Sequence, residues 1–139
     1  MNTRAKLKTA ALLLTTALGL GSYCSAADPG SQKEYLFKSG KVRFMYYAEK
    51  HLLISLDCRR KRKGAAELEC KAYQAFLRSS MSGLVAPPGG ADPGAVICTQ
   101  RFAGQVETAL NKYGNEASFC LLSDGSRVST GSLDFGAAR

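Results

Sequence analysis

Four cysteines, Cys58, Cys70, Cys98 and Cys120, follow a segment with the pattern of an export signal. Arg4, Lys6 and Lys8 form a positive start, Ala10 to Leu20 an apolar run, and Ser25-Ala26-Ala27 a small-residue cleavage site before Asp28. The apolar run is shorter than the roughly 20 residues that a membrane-spanning helix needs. A signal peptide over residues 1–27 therefore sends the mature chain to the periplasm or the exterior. Lipid anchoring at Cys24 is the alternative. It calls for a small residue just before the cysteine, and Tyr23 stands there, so cleavage near Ala27 is favoured. In an oxidising compartment an even set of cysteines reads as two disulfides. Sequence allows three pairings. Cys58–Cys70 with Cys98–Cys120 is the preferred one, because each pair lies close in sequence. Each bridge would stabilise the fold by about 3 kcal/mol in the chain-entropy model, which matters for a chain with a modest core.

The expected architecture is α+β: a small disulfide-stapled antiparallel sheet with short helices, in two lobes. The N-terminal β-rich lobe spans 28–84. Asp28 to Glu34 is polar and reads as frayed. Tyr35-Leu36-Phe37 and Lys41 to Ala48 read as strands about a turn at Ser39-Gly40, with Val42, Phe44 and Tyr46 on one face. Leu52 to Cys58 is the next strand, with Leu52, Ile54, Leu56 and Cys58 on its inner face. Cys58 and Cys70 are symmetric about Gly64, so a hairpin there sets them side by side. A helix follows from about Lys71 to Ser79, in a run of good helix formers. A Pro/Gly linker covers 85–91.

The second lobe spans 92–139. Asp92 can cap a helix that starts at Pro93, Ala95, Cys98 and Phe102 share a face, and Gly104 suits a left-handed helix end. Three segments follow, Gln105 to Lys112, Ala117 to Leu122 and Arg127 to Leu133, split by Tyr113-Gly114-Asn115 and by Asp124-Gly125. Asp-Gly between apolar runs is a strong hairpin signal. The lobe reads as one helix and a three-stranded meander, with Cys98 stapling helix to middle strand at Cys120.

Asp92-Pro93-Gly94-Ala95 with Cys98, then Asn115, Ser118-Phe119-Cys120 and Asp124-Gly125-Ser126, resembles a family of small bacterial cell-envelope domains of unknown function that carry a haemolysin label. The resemblance covers about the last 48 residues. Asp92 stands where the family usually has Asn, which keeps the capping chemistry. Gly94 stands where Ala is usual, which weakens the helix slightly. The further Cys and aromatic that often follow the Asp-Gly turn are missing. The resemblance implies fold and envelope location, and supplies no catalytic or pore-forming residue to carry over.

The sharpest charge feature is Arg59-Arg60-Lys61-Arg62-Lys63, in a chain of net charge +8. Five adjacent cations attract phosphates, and they also discourage edge aggregation on a solvated loop tip. Anionic lipid or lipopolysaccharide is the partner class this run suggests, beside an unknown envelope component. Nucleic acid is not expected, given export and no RNA-binding aromatic signature. The aromatics Tyr35, Phe37, Phe44, Tyr46 and Tyr47 read as the core and rim of a sheet rather than a ligand groove.

Catalytic patterns are missing. His51 is the only histidine, and a Cys–His pair would need a free cysteine. There is no Gly-x-Ser-x-Gly elbow and no Rossmann or P-loop glycine pattern. Cys58 and Cys70 are too far apart for a zinc knuckle, and Asp124-Gly125-Ser126 lacks the oxygen ligands of an EF-hand. The expectation is a non-enzymatic binding or structural component of the cell envelope, without a cofactor. The alternative is a secreted membrane-active effector that uses Arg59–Lys63.

Overall fold

A tight turn sets up the first two strands. β1 (Ser31–Phe37) and β2 (Gly40–Tyr47) pair from Ser31↔Tyr46 to Phe37↔Gly40 about the two-residue turn Lys38-Ser39. The computed structural model describes residues 30–139. The segment expected to be a signal peptide, residues 1–27 with Cys24, lies outside the described residues. Ser31 to Glu34, expected to fray, are strand, because Arg43 to Tyr46 offer them a complete ladder.

β3 (Leu52–Ser55) pairs with β2, and all four of its residues are buried. Burial on both faces requires a cover on each side. The inner cover is a closed barrel in the order β1-β2-β3-β8-β7-β6. β6 (Gln105–Asn111), β7 (Glu116–Leu121) and β8 (Arg127–Ser129) form the expected meander. The barrel closes through Ile54↔Val128 and through Tyr35↔Asn111 and Leu36↔Leu110. The two lobes expected on either side of residues 85–91 therefore share one barrel.

The barrel interior is aromatic. Tyr35, Phe37, Phe44 and Phe119 meet with ring centroids 4.7–6.1 Å apart, joined by Leu53 and Ala109. A second apolar cluster lies outside the barrel wall. Leu52, Ile54, Cys120 and Val128 pack there on three short helices: α1 (Lys71–Leu77), α2 (Pro93–Val96, continued by a π-helical turn Ile97–Arg101) and α3 (Thr130–Ala137).

α3 replaces the end of the strand expected from Arg127 to Leu133, which stops at Ser129. Ser129 ends the strand because its Oγ accepts from the Ser132 amide at 3.1 Å, an N-cap that turns the chain into helix. A second correction concerns Gly104. The left-handed residue after the π turn is Ala103, with φ 50°. Gly104 is needed for space, since a Cβ there would lie 2.5 Å from Cys120 Sγ.

The Asp124-Gly125-Ser126 turn does more than reverse the chain. Asp124 Oδ2 accepts from the Lys71 amide at 2.7 Å, and Ser126 Oγ accepts from the Ala72 amide at 3.0 Å. Lys71 Nζ donates to Ser123 Oγ. A turn from the second half thus caps the first turn of α1, whose amides have no intrahelical acceptor. Replacing the buried Ser126 by alanine leaves the Ala72 amide unpaired and should destabilise by about 1–3 kcal/mol. Burial alone would raise the Asp124 pKa, but hydrogen bonds from Ser126 and from the Lys71 and Ser126 amides bring it below its ordinary 3.8. A depressed carboxyl stabilises above its unfolded-state pKa and loses that contribution as pH falls through its lower folded value. The stability lost in Asp124→Asn, measured by urea unfolding, should therefore shrink on acidification below about pH 4. A gap that is constant with pH would refute this coupling.

Candidate anionic-surface contact: the Arg59–Lys63 hairpin

The basic run is a strand. β4 (Arg59–Arg62) pairs with β5 (Ala65–Leu68) in a two-stranded ribbon separate from the barrel. Lys63 and Gly64 form its tip, both with positive φ (47° and 83°), the signature of a tight hairpin turn. The register, Arg59↔Leu68 to Arg62↔Ala65, is centred between Lys63 and Gly64. The symmetry expected about Gly64 is off by half a residue. Cys58 accordingly faces Glu69 in the ladder, the Glu69 amide donating to the Cys58 carbonyl at 2.8 Å.

The disulfide still forms where expected, because Cys58 has left the strand. It sits at the end of a 3₁₀ turn, Leu56–Cys58, which brings its Cα to 5.0 Å from that of Cys70. Cys58 is fully buried in the outer apolar cluster. Cys70 Sγ lies 3.3 Å from the Tyr73 amide at the start of α1. The ribbon's base is thus fixed by a bridge anchored in the core, while its arms stand in solvent. Cys98 and Cys120 are also bonded, with Cα atoms 5.6 Å apart, and tie the π turn to β7.

Alternation along β4 puts Arg59 and Lys61 on one face and Arg60 and Arg62 on the other. The first pair is opposite Leu68 and Ala66, the second opposite Glu67 and Ala65. No carboxylate lies within 4.0 Å of Arg59, Arg60, Lys61, Arg62 or Lys63 among the described residues. All five are exposed. Tyr47 is close to the base: burial pushes its phenol above 10.0, while the Arg59 guanidinium pulls it down and Tyr73 raises it.

Two clefts escaped the sequence reading. One, about 570 Å³, brings Lys33 and Arg43 of the first hairpin to Lys112 and Tyr113 at the β6–β7 turn. The other, about 590 Å³, places His51 beside Ser129, Ser132 and Asp134. Both are made by barrel closure between distant segments, which no local pattern signals. In the second cleft the His51 ring lies 4.1 Å from that of Phe135. Ser132 Oγ accepts from the Leu53 amide and bonds Ser129 Oγ, so its hydrogen bonds are to structural partners rather than to His51. Among the described residues no three His, Cys, Asp or Glu side chains are grouped to hold a metal ion, and no helix is long and apolar enough to cross a membrane.

No family model, curated protein or solved structure matches the chain. The likeness of residues 92–139 to the haemolysin-labelled envelope domains rests on the motif residues alone.

Proposed function

We propose that this is an exported, non-enzymatic binding component of the bacterial cell envelope that docks on phosphate-bearing surfaces through Arg59–Lys63. The observation that carries the reading is five consecutive exposed cations without an ion-pair partner among the described residues, on a ribbon whose base is bonded to the core. The signal segment, the two disulfides and the envelope-like motif over 92–139 support the compartment. Anionic lipid head groups and lipopolysaccharide share the phosphate chemistry that such a ribbon would meet. Each cation near an anionic membrane contributes about 1 kcal/mol, and the attraction is screened within about 10 Å at 0.1 M salt.

Co-sedimentation with phosphatidylglycerol vesicles tests this. The wild type should bind at low salt and release at high salt. The variant Arg59→Gln, Arg60→Gln, Lys61→Gln, Arg62→Gln, Lys63→Asn should bind on the order of a thousandfold more weakly. Asn suits the positive φ at position 63. No vesicle or lipopolysaccharide binding at low salt would end the reading. Dye release from the same vesicles would move it to the secreted membrane-active effector, which uses the same cations.

A further inference from the structure

We propose that the β4–β5 ribbon is a processing site for trypsin-type proteases, at which a cut leaves both pieces of the chain joined. The proposal stands independently of surface docking. Proteases of this class hold a basic side chain in an acidic pocket, and the strand-addition mode of peptide recognition takes an extended backbone along a free edge. β4 offers both requirements. It is already extended, one of its edges is unpaired, and Arg59, Arg60, Lys61, Arg62 and Lys63 present a basic residue at every register. An isolated two-stranded hairpin is marginal in water. This one has no buried residue, and only Leu68 is part-buried, so it can open without disturbing the barrel.

Lys33, Lys38, Lys41, Arg43, Lys71, Lys112 and Arg127 are placed less favourably. Lys33 and Arg43 lie in β1 and β2, whose neighbours are barrel strands. Lys41 is in β2 and ion-paired to Glu34. Arg127 is part-buried on Glu107. The Lys71 amide is held by Asp124. Lys38 is in a two-residue hairpin turn, and Lys112 precedes the tight β6–β7 turn. A cut at any of these needs the barrel or a helix cap to open first.

The bridge decides what a cut does. Every bond from Arg59 to Gly64 lies inside the loop closed by Cys58–Cys70. Hydrolysis adds one water: hydroxyl to the carbonyl carbon on the cleaved side, a proton to the departing amine. Nothing is oxidised or reduced, and the disulfide is untouched. The first cut therefore releases no fragment. It creates a carboxylate and an ammonium at the ribbon and ends the paired-strand presentation of the cations, while Cys58 and Cys70 hold both arms at their bases.

Limited digestion of the oxidised full chain with trypsin tests the proposal, read by intact mass and gel with and without reductant. The expected first product has gained the mass of one water, runs as one species unreduced, and splits in two on reduction at a bond between Arg59 and Gly64. Its barrel should still unfold cooperatively. The variant with all five cations replaced should lose this early product and otherwise resist trypsin as the wild type does. First cuts elsewhere among residues 30–139, separation of the pieces without reductant, or digestion straight to small peptides would overturn the proposal.

Discussion

Replacing Cys98 and Cys120 together by alanine should destabilise the protein by about 3 kcal/mol, and more if the vacated volume does not collapse. The bridge spans 22 residues, so its loss frees a long loop in the unfolded chain. In the folded chain both sulfurs are fully buried in the cluster between the barrel wall and the helices. For a domain of this size the loss corresponds to a fall in melting temperature of roughly 10–20 °C. Urea unfolding of the oxidised wild type and the double variant measures it. A loss under about 1 kcal/mol would show that the bridge is incidental to the fold. A second measurement isolates the local geometry. A Cβ on Gly104 would meet Cys120 Sγ at 2.5 Å and Cys98 Sγ at 2.8 Å. Gly104→Ala should therefore be costly in the bridged protein and milder once both sulfurs are gone, a coupling that a double-mutant cycle reads directly.

The outer bridge differs in kind. Cys58–Cys70 closes a 12-residue separation around a ribbon that contributes little to either core. Opening it should loosen β4 and β5 while the barrel stays paired. Two bridges of similar sequence signal thus hold different things, one the packing of helices on the barrel, the other the base of an exposed arm.

What could be read from the sequence follows the range of the interactions. Asp92-Pro93, Asp124-Gly125 and the alternation of Val42, Phe44 and Tyr46 are local signals, and the helix start, the turn and the strand stand where they predict. Both disulfide pairs join residues that are close in sequence, so proximity alone selected them. Barrel closure is another matter. Ile54↔Val128 and Leu36↔Leu110 join segments more than 70 residues apart, and nothing local distinguishes such strands from two separate small sheets. The Pro/Gly segment reinforced the two-lobe reading by composition. In the structure its first residue is held, since Gln100 exchanges two hydrogen bonds with the Val85 backbone, and just before it Arg101 donates to the carbonyls of Ser80 and Ser82. The basic run was legible as a surface feature, but a loop and a ribbon have the same composition. Only the positive φ at Lys63 and Gly64 with the ladder behind them makes it a strand.

Gly94→Ala should destabilise by about 3 kcal/mol or more, although helix propensity alone predicts a gain of about 1 kcal/mol. The two effects have opposite sign, so the geometry decides. A Cβ at position 94 would sit 1.9 Å from the Thr130 carbonyl oxygen, 2.5 Å from its carbon and 2.9 Å from its Cα. These are backbone atoms at the first residue of α3, and Thr130 Oγ1 is also bonded to the Ser118 carbonyl in β7. No rotamer change relieves the clash; α2 would have to move off α3, and the buried Val96 and Ile97 with it. Glycine at position 94 is therefore a requirement of this packing rather than a mild weakening of the helix. Gly131 supplies the control. It lies in α3 without a positive φ, is exposed, and has nothing within 4 Å of its added Cβ. Gly131→Ala should stabilise by about 0.4–1 kcal/mol through reduced unfolded-state entropy. Urea midpoints that move in opposite directions for the two glycines would establish the α2–α3 contact as the tightest point of the fold. A Gly94→Ala midpoint at or above that of the wild type would mean that the two helices do not meet at this distance.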